Sequence, residues 1–138
     1  MATRDSMDSK IVDYVTEEVW RQGHDITQPD GLLRIGYMLN AWSHALTFTR
    51  GPLLSDVSVL GSMVEPLKNR GGIRRVGVRV GSRICPDAVE VANLLGQLFV
   101  GRDRYSPLEF YRAFEEIHPF VDGNGRTGKI WGHWIQNP

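Results

Sequence analysis

Along most of the chain, apolar residues recur at steps of three and four, the spacing that gathers them on one face of a helix. A first helix is expected from about Asp8 to Arg21, with Ile11, Val12, Val15, Val19 and Trp20 as its stripe. "GHD" and "QP" interrupt it. Pro29 suits the first turn of a second helix, where its missing N–H has no partner to lose. There Leu32, Ile35, Leu39, Trp42 and Leu46 follow at helical spacing until Gly51 and Pro52. Ser55 is placed to cap a third helix reaching about Leu67. Pro86 and Asp87 open a fourth, with Val89, Ala92, Leu95 and Leu98 on one face. Ser106 followed by Pro107 starts a fifth, which carries Phe110, Phe114 and Ile117 on its stripe. It should stop near Pro119, because the residue before a proline is pushed out of helical geometry. A last short helix over "GRTGKIWGHWIQ" would turn Ile130, Trp131, Trp134 and Ile135 inward.

The pattern changes once. In "NRGGIRRVGVRVGSRIC", Val76, Val78 and Val80 alternate with Gly77 and Arg79, and glycines flank the run. A period of two with such flanks predicts a short hairpin. A lone hairpin is marginal in water, so it should lie on the helical body or await a partner strand. The expected fold is all-α, a single domain over residues 1–138 with one β-hairpin.

Composition narrows the picture only a little. The 138 residues can bury a core without staples, and a 41% hydrophobic share with 23% charged residues is ordinary for a globular chain. Sixteen basic residues balance sixteen acidic ones, so no global charge recruits nucleic acid or an anionic membrane. Cys85 is the single cysteine and cannot form an internal disulfide; beside a helix-opening proline, with no base nearby, it reads as structural. "MATRDSMDSK" lacks the apolar run of a secretion signal, and no apolar run is long enough to span a bilayer. A cytoplasmic location is the expectation.

The chemistry concentrates in "IHPFVDGNGRTGK", Ile117 to Lys129. A glycine-rich loop feeding a helix N-terminus presents unpaired backbone N–H groups and the positive end of the helix dipole, which together suit an anion. Gly123 and Gly125 allow a tight turn and close approach of backbone to a ligand. Arg126 falls in the first turn of the helix and Lys129 about one turn later, so both can reach the same anion. Two cations at a helix start oppose the dipole and make better sense with a phosphate present. Asp122 supplies a hard carboxylate oxygen of the kind Mg²⁺ takes, with water and substrate phosphates completing its shell. His118, at the end of the preceding helix, has a side chain suited to general-base work near neutral pH. Two other templates fail. "GNGRTGK" meets the G-x-x-x-x-G-K part of a P-loop, but Ile130 stands where Ser or Thr should bind Mg²⁺, and a helix instead of a strand precedes it. As a calcium loop, Arg126 occupies the third ligand position and no glutamate closes it.

"HPFVDGNGRTGK" resembles the signature of Fic-domain proteins, H-P-F-x-[DE]-G-N-G-R-x-x-R, at every specified position except the last, where Lys129 replaces arginine. In that family a β-hairpin flap, often beginning with Gly and Arg, lies about two helices upstream, where "GGIRRVGVRVGSRICP" stands here. The resemblance implies a compact helical domain that transfers AMP from ATP, with Mg²⁺, to a hydroxyl (Ser, Thr or Tyr) of a target protein. It assigns His118 as the base and Asp122 as the Mg²⁺ ligand. Gly123, Asn124 and Gly125 would form the phosphate cradle, with Arg126 on the phosphate tail and Phe120 as an inward anchor. Ile73, Arg74, Arg75, Val76, Gly77 and Val78 would form the flap that clamps a target segment by strand addition.

Lys129 keeps the charge of the family's second arginine but loses its bidentate fork, which bears on how ATP is oriented. Two alternatives follow: a non-catalytic module that binds nucleotide or a partner, and a phosphotransferase like the Doc toxin. Doc's variation lies in the glycine–asparagine segment, which is intact here. The inhibitory pattern [ST]-x-x-x-E-[GN] common in the family has no match in the sequence, so restraint by a separate antitoxin is an expectation. Fic cores usually continue with further helices, which suggests that such helices are missing after Pro138. The other histidines receive ordinary roles: His24 in a loop, His44 within a helix, His133 packed beside Trp131 and Trp134. The four tryptophans are expected in the core. Arg74, Arg75 and Arg79 read as a solvated strand edge, with an acidic target or nucleotide as the alternative.

Overall fold

The computed structural model describes residues 9–48 and 51–136. Asp8, where the first helix was expected to begin, lies outside them. Among the described residues six α-helices run in order: α1 Ser9–Arg21, α2 Pro29–Ala45, α3 Leu54–Val64, α4 Ala88–Val100, α5 Pro107–Ile117 and α6 Asn124–Gln136. Between α3 and α4 a hairpin pairs β1, Arg79–Val80, with β2, Arg83–Ile84, antiparallel in the register Arg79↔Ile84 and Val80↔Arg83.

The start of α5 follows the expected chemistry. Ser106 Oγ accepts the Glu109 N–H at 3.1 Å, and the Glu109 carboxylate accepts the Ser106 N–H at 2.9 Å, so two orphan donors are satisfied reciprocally. Helix α3 starts otherwise. Leu53 is its N-cap and its N–H donates to Asp56 Oδ2 at 2.8 Å, so Asp56, not Ser55, closes the first turn. The helix also ends at Val64, short of Leu67, because Pro66 follows and Glu65 has already left helical geometry.

The core joins Met38, Ala41, Trp42 and Ala45 of α2 to Val57, Leu60 and Val64 of α3, and to Phe110, Phe114, Trp131 and Trp134 of α5 and α6. Three of the four tryptophans are buried there, but Trp20 is 61% exposed. The other two stripes hold in part. Trp42, Leu95 and Leu98 are buried as expected and Ile35, Leu39 and Leu46 pack against the core, but Leu32, Ala92 and Val89 (89%) are exposed while Met38, Ala41, Val91 and Phe99 are buried. His133 packs against Trp42, with ring centroids 4.7 Å apart and planes tilted by 43°. Helices α5 and α6 lie close together because Gly128 and Gly132 of α6 leave no Cβ. One added at Gly128 would come within 3.1 Å of Phe114 and Tyr111, and one at Gly132 within 3.2 Å of the Pro107 carbonyl. That approach fixes the loop between them. No helix among the described residues is long and apolar enough to cross a membrane.

The hairpin is shorter than the alternation of valines predicted. Residues 73–78 carry no strand, and the ladder starts only at Arg79, extended by Cys85 N–H donating to the Val78 carbonyl at 3.1 Å. Gly77 inside the run lacks a side chain to pack, which disfavours strand there. Arg74 is directed elsewhere, as described below.

Candidate active site

His118 caps α5. Its N–H donates to the Phe114 carbonyl at 3.0 Å, and its backbone is left-handed, with φ 51° and ψ 62°. Among the described residues it is the one non-glycine with positive φ. Histidine tolerates this region better than branched residues do. The turn it makes throws the chain back over α3 and α6. The ring is half-buried, and its Nδ1 is enclosed with no hydrogen-bond partner among the described residues. Burial and then the cationic Arg83 and Arg74 hold its pKa below the ordinary histidine value. The Glu115 backbone carbonyl and Asp122 pull the other way, the carbonyl without reaching full hydrogen-bond geometry. The ring is therefore neutral at pH 7.

Phe120 plunges into the core with no exposed surface. Asn124 holds it there: Oδ1 accepts the Phe120 N–H at 2.9 Å, and Nδ2 donates to the Phe120 carbonyl at 2.8 Å. The Asn124 side chain is thus spent inside the loop, and only its backbone N–H remains for an anion. Gly123 turns the chain with φ 73°. Its carbonyl takes both Thr127 donors, at 2.9 Å from N and 2.7 Å from Oγ1, which starts α6. Gly125 lies within α6, so its missing Cβ serves space and not a turn; a Cβ there would meet the Gln22 side chain at 2.7 Å. By position, the N–H groups of Asn124, Gly125 and Arg126 have no intrahelical partner.

Asp122 is pinned by Asn69, which donates to its carbonyl at 2.8 Å and accepts its N–H at 3.3 Å. Its Oδ1 takes the Gly123 N–H at 2.8 Å and its Oδ2 takes Lys68 Nζ at 3.0 Å. Burial would raise its pKa, but Lys68, the Gly123 N–H and Arg126 outweigh burial and hold it below the usual carboxylate range. Among the described residues no group of three or more His, Cys, Asp or Glu could cage a metal. One ionised carboxylate beside a phosphate cradle is nonetheless what Mg²⁺ requires, since water and phosphates supply the rest of its shell. Asp122 fits that part.

Arg126 is 1% exposed. Its Nη2 donates to Glu65 Oε1 at 2.9 Å, and the same oxygen accepts Arg34 Nε at 2.6 Å. Two guanidinium groups therefore share one buried carboxylate, and Arg126 Nε and Nη1 have no partner among the described residues. Buried charged donors without acceptors are costly. Their position at the start of α6 asks for an anion. Lys129 is differently placed: its ammonium stands 4.2 Å from the centroid of the Tyr111 ring. It also lies within electrostatic reach of Glu115, whose pKa is raised by burial and by Glu18 against the pull of Arg83 and Lys129. Tyr111 itself is pushed up to about 12 by burial and then by Glu115, Glu18 and Tyr14. Glu115 of α5 thus faces both Lys129 of α6 and Glu18 of α1.

A model of the Fic/DOC family matches residues 60–136, more than half of the chain. The chain belongs to the Fic/DOC family. A Fic family protein from Desulfovibrio desulfuricans G20 has a similar structure, with a TM-score of 0.65 at 22% identity. That alignment covers 96% of this chain and 46% of the other, so the chain spans less than half the length of that relative. No curated protein matches the chain. The likeness in structure speaks for the Fic fold, and the described helices with one hairpin agree with it.

Of the residues named from sequence, His118, Asp122, Gly123, Asn124, Gly125 and Arg126 fall on one continuous turn. Lys129, three residues further along α6, is directed against the Tyr111 ring. Of the flap residues, Arg75, Val76 and Gly77 are exposed, Ile73 and Val78 partly buried, and Arg74 is buried, so Arg74 is not part of a solvated edge. Sequence reasoning passed over Arg34, Glu65, Lys68 and Asn69, which no local motif marks. It also gave His24 an ordinary loop role. Burial and then Arg126 and Arg34 lower the pKa of His24, against Glu65 and Asp122, so it belongs to the edge of the same charged cluster. Only the tertiary approach of the loop after α1 to the start of α6 brings it there.

Proposed function

We propose that this domain is a protein adenylyltransferase, moving AMP from Mg-ATP to a hydroxyl side chain of a target protein. The observation that carries the reading is Arg126: a buried guanidinium with two unpartnered nitrogens at a helix start whose first N–H groups are also free. A triphosphate satisfies both. Asp122 would hold Mg²⁺, which when bound supplies a Lewis acid toward the α- and β-phosphates. Residues 75–77, exposed and outside the hairpin ladder, suit capture of an extended target segment by main-chain pairing.

In this reading the neutral His118 ring accepts the hydroxyl proton at Nε2, the nitrogen not enclosed. The hydroxyl oxygen forms a bond to the α-phosphorus as the bond to the β-phosphate bridging oxygen breaks, and pyrophosphate leaves. The backbone N–H groups of Asn124 and Gly125 and the Arg126 guanidinium stabilise the charge on the phosphate oxygens. Support comes from the intact D-G-N-G-R segment and from family membership.

One observation favours a second reading. With Lys129 held over Tyr111, the second cation of the motif is not directed at the terminal phosphate, which suits a module that binds nucleotide and transfers poorly. ATP labelled at either the α- or the γ-phosphate, incubated with Mg²⁺ and extracts of candidate targets, separates the readings. Protein-bound α-label that disappears in His118→Ala supports adenylylation; γ-label alone replaces it with phosphorylation. Calorimetric Mg-ATP binding with no label transferred, to any protein or to the domain itself, leaves the binding module.

A further inference from the structure

Arg74 is the most heavily engaged side chain outside the phosphate cradle. It is 3% exposed, yet no carboxylate pairs with it. Its partners are four backbone carbonyls: Nε donates to His118 at 2.6 Å, Nη1 to Val76 at 2.9 Å, and Nη2 to Pro86 at 2.6 Å and Ile117 at 3.1 Å. Its own N–H donates to the Pro119 carbonyl at 2.8 Å. One residue therefore ties the flap to the exit of the hairpin and to the turn that carries His118.

The chemistry of those acceptors is specific. Ile117 and His118 hold the last carbonyls of α5, which have no intrahelical donors and form the negative end of its dipole. A planar guanidinium can serve several such oxygens at once, and an ammonium cannot do so at these separations. The left-handed turn at His118 frees its carbonyl from the helix, and Arg74 Nε is what receives it. A residue placed only to stabilise the flap would need the Val76 and Pro86 contacts alone.

We infer that Arg74 is a positioning residue that locks the flap to the backbone of His118, so that a strand captured on residues 75–78 arrives in register with the imidazole. This inference rests on the reading of His118 as the base and of the flap as the target clamp. The lock itself is a property of the free protein, and its test does not need a substrate.

Arg74→Lys and Arg74→Met are compared with the wild type by NMR, following the pH titration of the His118 ring and amide exchange at residues 75–78. Mg-ATP binding by calorimetry serves as control, with Arg126→Ala beside it. In the variants, exchange at residues 75–78 should rise about tenfold or more, as expected for loss of charge-assisted hydrogen bonds. The His118 titration should move up toward ordinary histidine in Arg74→Met, while Mg-ATP affinity stays within about twofold of wild type. An unchanged titration and unchanged flap exchange in either folded variant overturn the lock. Should neither variant fold, the wild type decides: the Arg74 Nε–H must exchange slowly, and rapid exchange refutes the inference. If Arg126→Ala leaves Mg-ATP binding intact, the proposed function fails while the lock stands or falls on its own readouts.

Discussion

Gly61, in α3, is where a single methyl group should do most damage to the loop between α5 and α6. A Cβ built there would lie 2.1, 2.2 and 2.6 Å from Cζ, Cε1 and Cε2 of Phe120. Ordinary carbon contacts begin near 3.5 Å, so the ring must retreat by more than an ångström. Phe120 cannot do so alone, because Asn124 grips its N–H and carbonyl. Gly61→Ala gains about 0.8–1 kcal/mol of helix propensity. Overpacking costs about 1–3 kcal/mol and more where backbone must move. The steric effect should win, for a net loss of about 1–2 kcal/mol in urea denaturation. Phe120→Ala should cost about 3–5 kcal/mol, but the Gly61→Ala change added to it should then be neutral or stabilising, since the clash has gone. The double-mutant cycle would thus show strong coupling. A Gly61→Ala protein as stable as wild type would refute the claim that Phe120 is wedged against α3.

Asn124→Ala leaves a buried N–H and carbonyl of Phe120 unpaired and should cost about 2–4 kcal/mol, read by the same denaturation. Glu65→Ala strips the shared counterion from Arg34 and Arg126 and should cost about 3–5 kcal/mol in the nucleotide-free protein. The loss should shrink in saturating Mg-ATP, whose phosphates replace the charge, so the thermal shift on adding Mg-ATP should be larger than in wild type. The acid limb of any transfer activity should lie below pH 6.5, because burial and nearby arginines lower the His118 pKa. The sign for stability follows: the unfolded ring binds a proton near 6.5 and the folded ring only at lower pH. This contribution is therefore present above 6.5 and lost as pH falls through the folded value.

The helices were readable because periodicity and caps are local. Phe110, Phe114, Ile117, Ile130, Trp131 and Trp134 bury as the spacing implies, and Ser106–Glu109 closes α5. Errors arose where local pattern competes with packing. Val89 has the right residue type and spacing for the core, but α4 buries Val91, two residues on and nearly opposite around the helix, beside the expected Leu95 and Leu98. The valine alternation at 76–80 looked like strand, but strand needs a partner, and Arg74 pulls the start of that segment toward α5. The motif residues were readable because they are contiguous. Glu65, Arg34 and Asn69 were not, nor were the buried contacts of Arg74, because the partners lie 31 to 61 residues away for Glu65, 53 for Asn69 and up to 44 for Arg74.

Those long-range residues change what the motif means. A loop of three glycines and an asparagine would by itself be loose, and a loose cradle loses transition-state stabilisation. Here every turn of it is clamped from another element: Phe120 by Asn124 and α3, Asp122 by Asn69, Arg126 by Glu65, and His118 by Arg74. The clamps are unequal in charge. Those on Phe120 and Asp122 are neutral and the Arg74 guanidinium is fully bonded, whereas in the Arg34–Glu65–Arg126 group Asp30 also pairs with Arg34 and the donors left over are on Arg126 alone. The satisfied clamps set shape; Arg126 leaves an unmet demand. A site kept only for structure would give Arg126 a carboxylate of its own, as Asp30 serves Arg34, but Asp122 stands 4.0 Å from Arg126 Nη2 and is already engaged by Lys68. The deficit is therefore built into the folded protein at the one point where a phosphate tail would remove it.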